Sequence, residues 1–380
     1  MHRNVKGGRL KFTTDLEAAI REALIVIIAV GTPQDGNGRA DLSFVRAVAK
    51  SIGENLDSYK VVVTKSTVPA GTGKMVREVI EENLREKHSF SVASNPEFLR
   101  EGSAIEDFMR PNRVVLGTED EQSAAILQDL YRPLYLIETP IVVTDVVTAE
   151  VVKYASNAFL ATKISFINEM ADLCEAVDGD VQVVAKAMGL DRRIGPKFLH
   201  AGPGYGGSCF PKDTRAVNEL ANDVGVDLRI VKAVIAVNDS RVPRMIERIT
   251  SAVGGELRGQ TVALLGLTFK PNTDDLRESP AMFILDELIA AGALVRAFDP
   301  IANALLENDG RTGVTYCADE YDAVSGAQAV ILATEWNQFR SLDFSKMKDL
   351  LARPVVIDLR NIYGPERMRE LGFEYTGVGR

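Results

Sequence analysis

One cysteine follows a glycine-rich turn and precedes a lysine and an aspartate. The segment reads FLHAGPGYGGSCFPKD and spans residues 198–213, with Cys209, Lys212 and Asp213 near its end. We expect Ser208 to cap a helix that has Pro211 in its first turn. The dipole at a helix N-terminus favours a thiolate, and an acid four residues on shares the helix face. The segment therefore predicts a nucleophile beside a cation and an acid/base group. A buried, inert cysteine is the alternative.

A second polar pair, Lys153 and Asn157, lies four residues apart in a long predicted helix. Residues four apart share a helix face. The neighbours Ala149, Tyr154 and Ala161 are apolar or small, so we expect the lysine to be partly desolvated. Such a lysine is a candidate oxyanion binder. The alternative is a lysine that extends its ammonium from a mostly buried helix into water.

Two acids, Glu97 and Glu101, follow a predicted strand and a proline. Carboxylates in this position suit general acid/base catalysis, and they equally suit a solvated helix start. Four cations are expected near phosphate groups, because guanidinium and ammonium groups bind phosphate oxygens. They are Arg193, Lys270, Arg277 and Arg360. For each of them, a place on the solvated surface is the alternative.

The first part of the chain alternates strand and helix patterns. Strands are predicted at Leu24–Val30, Lys60–Lys65, Phe90–Ser94 and Arg113–Gly117, and helices at Leu42–Asn55, Gly73–Glu86 and Glu119–Tyr131. Continuous apolar strands separated by helices are typical of a parallel sheet covered on both faces. Such sheets bind ligands at the carboxyl ends of their strands, where this sequence has Gly, Thr, Ser and Pro.

The rest of the chain is first helical and then alternating again. Helices are predicted at Thr148–Val177, Val181–Met188, Asp213–Asp223 and Arg229–Ser251. After them, strands are predicted at Thr261–Leu267, Leu294–Phe298, Ala329–Thr334 and Pro354–Leu359, with a helix at Ser279–Ala291. We therefore predict an α/β fold with two doubly wound, Rossmann-like domains joined by an all-helical segment. The domains are expected at residues 1–146, 147–252 and 253–380.

Composition excludes several classes of protein. The 380 residues carry a net charge of −9, which argues against nucleic acid as a partner. The longest apolar run, Leu24–Val30, is too short to cross a membrane. Three cysteines and three histidines form no plausible zinc set, so no metal is expected. Cysteines without a pairing pattern fit a reducing cytoplasm.

One expected motif is missing. A dinucleotide-binding domain opens with a strand, a G-x-G-x-x-G turn and an acid about 20 residues further on. Nothing before Leu24 supplies these features, and Gly266 stands alone at the first strand end of the C-terminal part. Asp299 occupies the place of a ribose-binding acid there, although Asp-Pro also simply makes a turn.

Seven motifs in order resemble one enzyme family. They are Val30–Pro33 (VGTP), Ser66–Thr72 (STVPAGT), Asn95–Gly102 (NPEFLREG), the pair Lys153 and Asn157, Arg193–Gly195 (RIG), the loop Gly202–Asp213, and Gly266–Lys270 (GLTFK) with Asp274–Ser279. Together they resemble the UDP-glucose/GDP-mannose dehydrogenase family from about Leu10 onward. Each motif alone is weak, but seven with family-like spacing are specific.

The resemblance implies a reaction and a set of catalytic residues. Members of the family oxidise the C6 alcohol of a nucleotide sugar to a carboxylate with two NAD⁺. Cys209 would be the nucleophile that forms a thiohemiacetal and then a thioester, which water hydrolyses. Lys153 and Asn157 would stabilise oxyanions. Asp213, with Glu97 and Thr67 acting through a water molecule, would transfer protons.

The resemblance also implies binding residues and a homodimer. The UDP-sugar contacts would be Phe98, Leu99, Arg100, Glu101, Lys153, Arg193, Phe198, His200, Gly202, Tyr205, Gly206, Phe269, Lys270 and Arg360. The NAD contacts would be Val30, Thr32, Pro33, Ser66, Thr67, Glu101, Lys212 and Arg277. The long central helix would join two subunits, and Arg193 would reach the neighbour's sugar.

The loop residues favour UDP-glucose as substrate, with GDP-mannose or another nucleotide sugar as the alternative.

Because the chain begins after the family's G-x-G-x-x-G segment, we expect a truncated N-terminal domain with a hydrophobic open sheet edge, poor packing and impaired NAD binding. The competing hypothesis is a non-catalytic UDP-sugar-binding protein.

Overall fold

The structure is a computed structural model that describes residues 1–36, 38–135, 139–306 and 309–380. The chain forms two compact units. The first contains Met1–Ser156 with Glu219–Gly225, and the second contains Asn157–Asn218 with Val226–Arg380. The division into three domains stays a prediction.

The N-terminal elements alternate as the sequence predicts. They are α1 (His2–Lys6), α2 (Leu16–Glu22), β1 (Ile25–Ile28), α3 (Ser43–Asn55), β2 (Lys60–Thr64), α4 (Thr72–Glu82), β3 (Phe90–Ser94), α5 (Ala104–Met109), β4 (Val114–Thr118), α6 (Glu121–Tyr135) and β5 (Ile141–Thr144). The short elements α1, α2, α5 and β5 were not expected, because each has too few residues to show a clear hydrophobic period.

The first sheet has the order β1-β2-β3-β4-β5. Strands β1, β2 and β3 are parallel, but β4 runs antiparallel to β3, with Ala93 opposite Thr118. The prediction of a wholly parallel sheet is therefore wrong for this unit. The six-residue helix α5 is too short to cover the sheet in a crossover, and the chain returns beside β3 in the opposite direction.

The open edge of this sheet is apolar, as predicted. Strand β1 is its outermost strand, and Leu24 and Ile27 are each about half exposed, at 52% and 46%. The expected poor packing is not what the structure has, because both sides of the sheet carry buried apolar clusters. One contains Ile28, Val45, Val62 and Val92, and the other contains Val61, Val63, Leu116 and Leu127.

The central segment is helical, as predicted. Its helices are α7 (Val146–Ala176), α8 (Val181–Leu190), α9 (Phe210–Asp223), α10 (Arg229–Asp239) and α11 (Arg241–Val253). The single helix predicted at Arg229–Ser251 is wrong, since Ser240 separates α10 from α11. Pro243 has no N–H group and its ring conflicts with the carbonyl four residues earlier, which ends the first helix.

The C-terminal part of the second unit is a doubly wound sheet, as predicted. Its elements are β6 (Thr261–Leu265), α12 (Pro280–Ala290), β7 (Leu294–Phe298), α13 (Asn303–Leu306), β8 (Val314–Tyr316), α14 (Glu320–Val324), β9 (Ala329–Leu332), a 3₁₀ helix (Asn337–Ser341), α15 (Phe344–Leu350), β10 (Val355–Asp358), α16 (Pro365–Glu370) and β11 (Glu374–Thr376). The order is β11-β10-β9-β6-β7-β8 and every pair is parallel. Successive residues of β6 enter different buried clusters, so both faces of the sheet are covered.

Candidate active site

Lys153 lies on the first half of α7 and is almost fully buried, at 3% exposure. Its Nζ donates to the backbone oxygen of Glu97 at 2.7 Å and to Glu97 Oε1 at 3.0 Å. The other carboxylate oxygen, Oε2, accepts the N–H of Leu99 at 2.5 Å. The lysine therefore does not extend into water, and the turn after β3 is tied to α7.

Glu97 is not part of a helix start, since α5 begins only at Ala104. The Phe98 ring beside it lies under the Arg113 guanidinium, whose central carbon is 3.6 Å from the ring centroid. Arg100 is mostly exposed and pairs with Asp107 at 2.7 Å, and Glu101 is partly buried. Lys153 Nζ also lies 5.5 Å from the Phe98 centroid, so two cations lie near this ring.

Five of the residues predicted for NAD follow the carboxyl ends of β1 and β2, namely Val30, Thr32, Pro33, Ser66 and Thr67. The Thr32 hydroxyl donates to the Thr67 carbonyl at 2.8 Å, and the Ser66 hydroxyl donates to the Val30 carbonyl at 2.6 Å. Pro33 is exposed, next to Thr32. No atom lies within 4 Å of the position that a Cβ on Gly31 would take, so its backbone is open to a ligand. These observations fit the binding edge of a dinucleotide site.

Cys209 is exposed, which excludes the inert buried cysteine. Its carbonyl accepts the N–H of Asp213 at 2.8 Å, and α9 begins at Phe210. Cys209 itself is therefore the capping residue, and the prediction that Ser208 caps this helix is wrong by one position. The Ser208 hydroxyl lies 3.6 Å from the Cys209 sulfur instead. The thiol thus stands at the helix N-terminus, as expected.

Asp213 is buried on the first turn of α9, with 1% exposure. Its Oδ2 accepts the Asn157 side-chain amide at 2.6 Å, and its Oδ1 accepts Lys212 Nζ at 2.6 Å. Asn157 is also buried, at 7% exposure. The structure therefore brings three predicted residues together one helical turn after Cys209.

The glycine-rich loop before Cys209 packs against its own unit. A Cβ on Gly206 would come within 2.1 Å of the Glu278 carbonyl oxygen, and one on Gly207 within 2.7 Å of the Phe269 ring. Gly207 also has φ of +82°, a conformation that favours glycine. At these two positions glycine therefore allows close approach of the chain itself.

Three residues that hold this loop were not predicted. The Asn168 side-chain oxygen accepts the Gly202 N–H at 2.8 Å, and the Asn238 side-chain oxygen accepts the Tyr205 N–H at 2.8 Å. Arg241, which is fully buried, donates to the Gly202 carbonyl at 3.3 Å. Each lies more than 30 residues from its partner, and no local pattern in the sequence indicates such a pairing.

The other predicted residues around this loop differ in exposure. Tyr205 is buried, while Phe198 is partly buried, with its ring centroid 5.9 Å from that of Phe210. His200 is exposed, and the Arg193 side chain is 90% exposed and paired with Asp191 at 2.6 Å. The Arg193 side chain therefore extends into solvent in the single chain.

The C-terminal sheet positions the remaining residues predicted for the sugar nucleotide. Arg360 donates to the Ala333 carbonyl at 2.8 Å and to the Phe269 carbonyl at 3.3 Å. The position of a Cβ on Gly202 would lie 3.4 Å from Arg360 Nη1. The structure thus brings Arg360, Phe269 and Gly202 together. Lys270 Nζ is 5.2 Å from the Phe269 centroid, and Arg277 is mostly exposed and bonded to Asp275 at 2.8 Å.

Asp299 is a structural residue and not the ribose-binding acid considered from the sequence. It is buried, and its Oδ2 accepts the N–H groups of Leu267 at 2.8 Å and Thr268 at 3.1 Å, together with the indole N–H of Trp336 at 3.2 Å. Its Oδ1 accepts two backbone N–H groups after β7. The carboxylate is therefore used to shape the turn that leads to Phe269 and Lys270.

Two features are absent from the part of the chain that the structure describes. Within those ranges, no group of His, Cys, Asp and Glu side chains could hold a metal ion. None of the helices described is long and apolar enough to cross a membrane.

Comparison with known proteins places the chain in a family. Residues 1–135 match the NAD binding domain of the UDP-glucose/GDP-mannose dehydrogenase family, residues 147–240 its central domain and residues 263–365 its UDP binding domain. The chain is 50% identical to a UDP-glucose 6-dehydrogenase of Rhizobium meliloti (strain 1021), over 99% of this chain and 86% of that protein.

Solved structures agree with this match. A UDP-glucose dehydrogenase from Pyrobaculum islandicum is 41% identical with a TM-score of 0.89, over 100% of this chain and 85% of that one. A UDP-D-ManNAc dehydrogenase from Pyrococcus horikoshii is 27% identical with a TM-score of 0.86, over 100% and 86%. The chain belongs to the UDP-glucose/GDP-mannose dehydrogenase family.

Proposed function

We propose that this chain oxidises UDP-glucose to UDP-glucuronate with two NAD⁺. The observation that carries the proposal is the exposed Cys209 thiol at the start of α9, one turn from the buried Asp213. A relative 50% identical over nearly the whole chain is a UDP-glucose 6-dehydrogenase, and this supports the choice of sugar.

Residues at the ends of β1 and β2 would hold the cofactor. They are Val30, Thr32, Pro33, Ser66 and Thr67, and Glu101, Lys212 and Arg277 would add contacts. The hydrogen bonds that join Thr32 to Thr67 and Ser66 to Val30 make this edge a fixed surface. When bound, NAD⁺ supplies a hydride acceptor for each of the two oxidation steps.

Cys209 forms the covalent bond to the sugar. Its thiolate adds to the C6 aldehyde produced by the first oxidation, and the aldehyde oxygen takes up a proton to give a thiohemiacetal. Removal of a hydride and the hydroxyl proton from this adduct leaves a thioester. Water then adds to the thioester carbon, the carbon–sulfur bond breaks, and the carboxylate leaves with Cys209 restored as thiolate. Two hydrides per sugar account for the four electrons.

Asp213 moves protons near Cys209, and its neighbours keep it in place. With one oxygen on the Asn157 amide and the other on the Lys212 ammonium, the carboxylate has a fixed orientation. Asn157 presents an N–H that also suits a developing oxyanion.

Lys153 and Glu97 would have separate roles, with Lys153 stabilising an oxyanion and Glu97 transferring protons. The Lys153 ammonium is buried, and its charge suits an oxyanion that develops at C6. Glu97, bonded to that ammonium at 3.0 Å, would orient a water molecule together with Thr67.

The sugar nucleotide is bound by residues from several loops. Phe269, Lys270, Arg360, Gly202 and Gly206 belong to one unit, and the contacts of Arg360 with the Phe269 and Ala333 carbonyls fix its guanidinium for a phosphate or uracil. Additional contacts would come from Phe98, Leu99, Arg100, Glu101, Lys153, Arg193, Phe198, His200 and Tyr205.

We also propose a homodimer formed through α7. Phe159, Phe166 and Leu173 lie seven residues apart along this helix and are 65%, 42% and 53% exposed in the single chain. A stripe with this spacing is typical of a helix that packs against another helix. The exposed Arg193 is available to reach a neighbouring subunit's sugar.

Because Cys209 must remain a thiol, we place the reaction in the reducing cytoplasm.

The test is NADH formation by the purified chain with UDP-glucose and NAD⁺. We expect two NADH for each UDP-glucose consumed, and much slower turnover of GDP-mannose. Binding of UDP-glucose without NADH formation would overturn the proposal and favour a non-catalytic sugar-binding protein.

A further inference from the structure

Lys65 is a partly buried cation that the proposed mechanism does not use. It directly follows β2 and precedes Ser66. Its Nζ donates to the Asn95 side-chain oxygen at 2.9 Å and to the Tyr131 hydroxyl at 3.4 Å. The ammonium also lies 6.0 Å from the Phe108 ring centroid and 5.8 Å from that of Tyr131. Two aromatic rings and two oxygen atoms therefore define its position.

Asn95 connects this lysine to the turn that carries Glu97. The asparagine is 2% exposed, and its Nδ2 donates to the Val115 carbonyl at 2.8 Å. Its backbone N–H donates to the Thr64 carbonyl at 2.9 Å. The Tyr131 hydroxyl donates to the same side-chain oxygen that Lys65 contacts. The first residue of the turn is thus held by three elements, and Glu97 follows two residues later.

We propose that Lys65 is a positioning residue for the reaction, which holds the turn at Asn95 so that the Glu97 carboxylate stays on the Lys153 ammonium. The inference rests on the proposed function of Glu97 and Lys153. Lys65 would contact neither the sugar C6 nor the NAD⁺ that accepts the hydride. It acts through Asn95.

Electrostatics support this role. Desolvation by the surrounding residues lowers the pKa of Lys65 to about 8. The negative charge of Glu97 opposes this shift, and the positive charge of Lys153 adds to it. At neutral pH the Lys65 side chain is therefore a desolvated cation whose interactions with Asn95 and Glu97 are strengthened by the low local dielectric.

Lys60 provides a matched control for a variant of Lys65. It is fully buried at the first position of β2, and its Nζ donates to the Arg21 and Ala23 carbonyls at 3.1 Å each. The strand rise places it roughly 16 Å from Lys65. Lys60→Met and Lys65→Met therefore remove the same chemical group at opposite ends of β2, but only Lys65 contacts Asn95.

The experiment compares kcat, KM, the pH profile of kcat and Tm of Lys65→Met, Lys60→Met and the unchanged chain. For Lys65→Met we expect kcat to fall roughly 10- to 100-fold, because a misplacement of about 1 Å in a catalytic group can cost about 100-fold in rate. We expect KM for UDP-glucose to change less than threefold and the pH profile of kcat to shift. We expect Lys60→Met to lower Tm but to keep kcat within threefold of the unchanged chain.

Two further measurements keep the inference testable if Lys65→Met does not fold or the chain has no turnover. Tyr131→Phe removes one hydroxyl from Asn95 and should reduce kcat in the same direction by a smaller factor. Crystal structures of Tyr131→Phe and Lys65→Met should show Glu97 displaced from Lys153 Nζ. If Glu97 stays at 3.0 Å in these variants, or if Lys65→Met only lowers Tm as Lys60→Met does, the inference is overturned. An inactive unchanged chain would refute the proposed function separately.

Discussion

Asp213 illustrates how single residues of the candidate site are fixed. A buried carboxylate without partners is costly, and here both oxygens are satisfied by Asn157 and Lys212. The pairing with Asn157 spans 56 positions of sequence, yet both residues were predicted from motifs that they share with one family. Substitution of Asp213 would therefore remove the partner of Lys212 and Asn157 together with the proposed proton-transfer group.

The thiol of Cys209 provides the sharpest test of the chemistry. We expect Cys209→Ser to lower UDP-glucuronate formation about 10³-fold or more, because a neutral hydroxyl is a far weaker nucleophile toward the aldehyde. The measurement is chromatographic detection of UDP-glucuronate. Cys174→Ala, at a buried cysteine, is the control and should keep activity within threefold. Acid formation by Cys209→Ser at the unchanged rate would remove Cys209 from the mechanism.

Residues of this site were predictable where the spacing is local. Cys209 and Asp213 are four apart on one helix, so their shared face could be derived from the sequence. Arg241 and Lys65 could not be found in this way, because the partners that desolvate each cation lie 30 or more positions away. Without coordinates, such a lysine or arginine resembles any surface residue of the chain.

At the level of elements, Glu150 anchors the start of α4. It is 2% exposed on α7, and its carboxylate accepts the N–H of Gly71 at 2.7 Å and of Gly73 at 2.8 Å. These N–H groups have no partner within α4, and an anion at this helix end is favoured by the dipole. Glu150 and Lys153 are one turn apart, so a single turn of α7 holds two strand-end loops.

Glu150 gives a pH-dependent stability. Burial raises its pKa from 4.5 to about 7, although the Gly71 and Gly73 N–H groups act in the lowering direction. The folded chain therefore holds a proton that the unfolded chain releases between pH 4.5 and 7, and the stability from this group is lost as pH rises through 7. As pH rises across this range, the unchanged chain should lose stability that Glu150→Gln keeps. We therefore expect the unfolding free energy of Glu150→Gln, relative to that of the unchanged chain, to increase by up to about 3 kcal/mol.

Urea unfolding at pH 5 and pH 7.5 measures this difference. Glu82→Gln is the control, since Glu82 is exposed on the last turn of α4, the helix whose start Glu150 contacts. Its substitution should give the same difference at both pH values. A pH-independent result for Glu150→Gln would show that Glu150 has the same charge in the folded and unfolded chains.

The sequence pattern located the main helices and strands, and it failed at their junctions for physical reasons. The boundary at Ser240 depends on Pro243, which breaks the helix. The apolar pattern continues from α10 into α11, so it does not reveal the break. The antiparallel β4 depends on the geometry of the connection and not on the strand's composition, which is apolar in either direction.

For the whole molecule, the two sheets and their helices follow from the alternation of the chain, whereas association with a second copy depends on exposed surface. We expect Phe166→Glu to convert the proposed homodimer to monomer, because a charge would be buried opposite the apolar stripe of α7. Light scattering coupled to size exclusion measures the mass. Phe44→Glu is the control at another exposed phenylalanine, on α3, and should leave the mass unchanged. A monomeric unchanged chain, or a dimeric Phe166→Glu, would contradict the homodimer.

The bond between Trp336 and Asp299 has a practical consequence. Trp336 is the only tryptophan in the sequence, and its indole N–H contacts the carboxylate that shapes the turn before Phe269 and Lys270. All tryptophan fluorescence of the chain therefore originates beside the residues proposed to bind UDP. The emission of this one fluorophore can report the arrival of UDP in a stopped-flow instrument, without a label and before any hydride has moved.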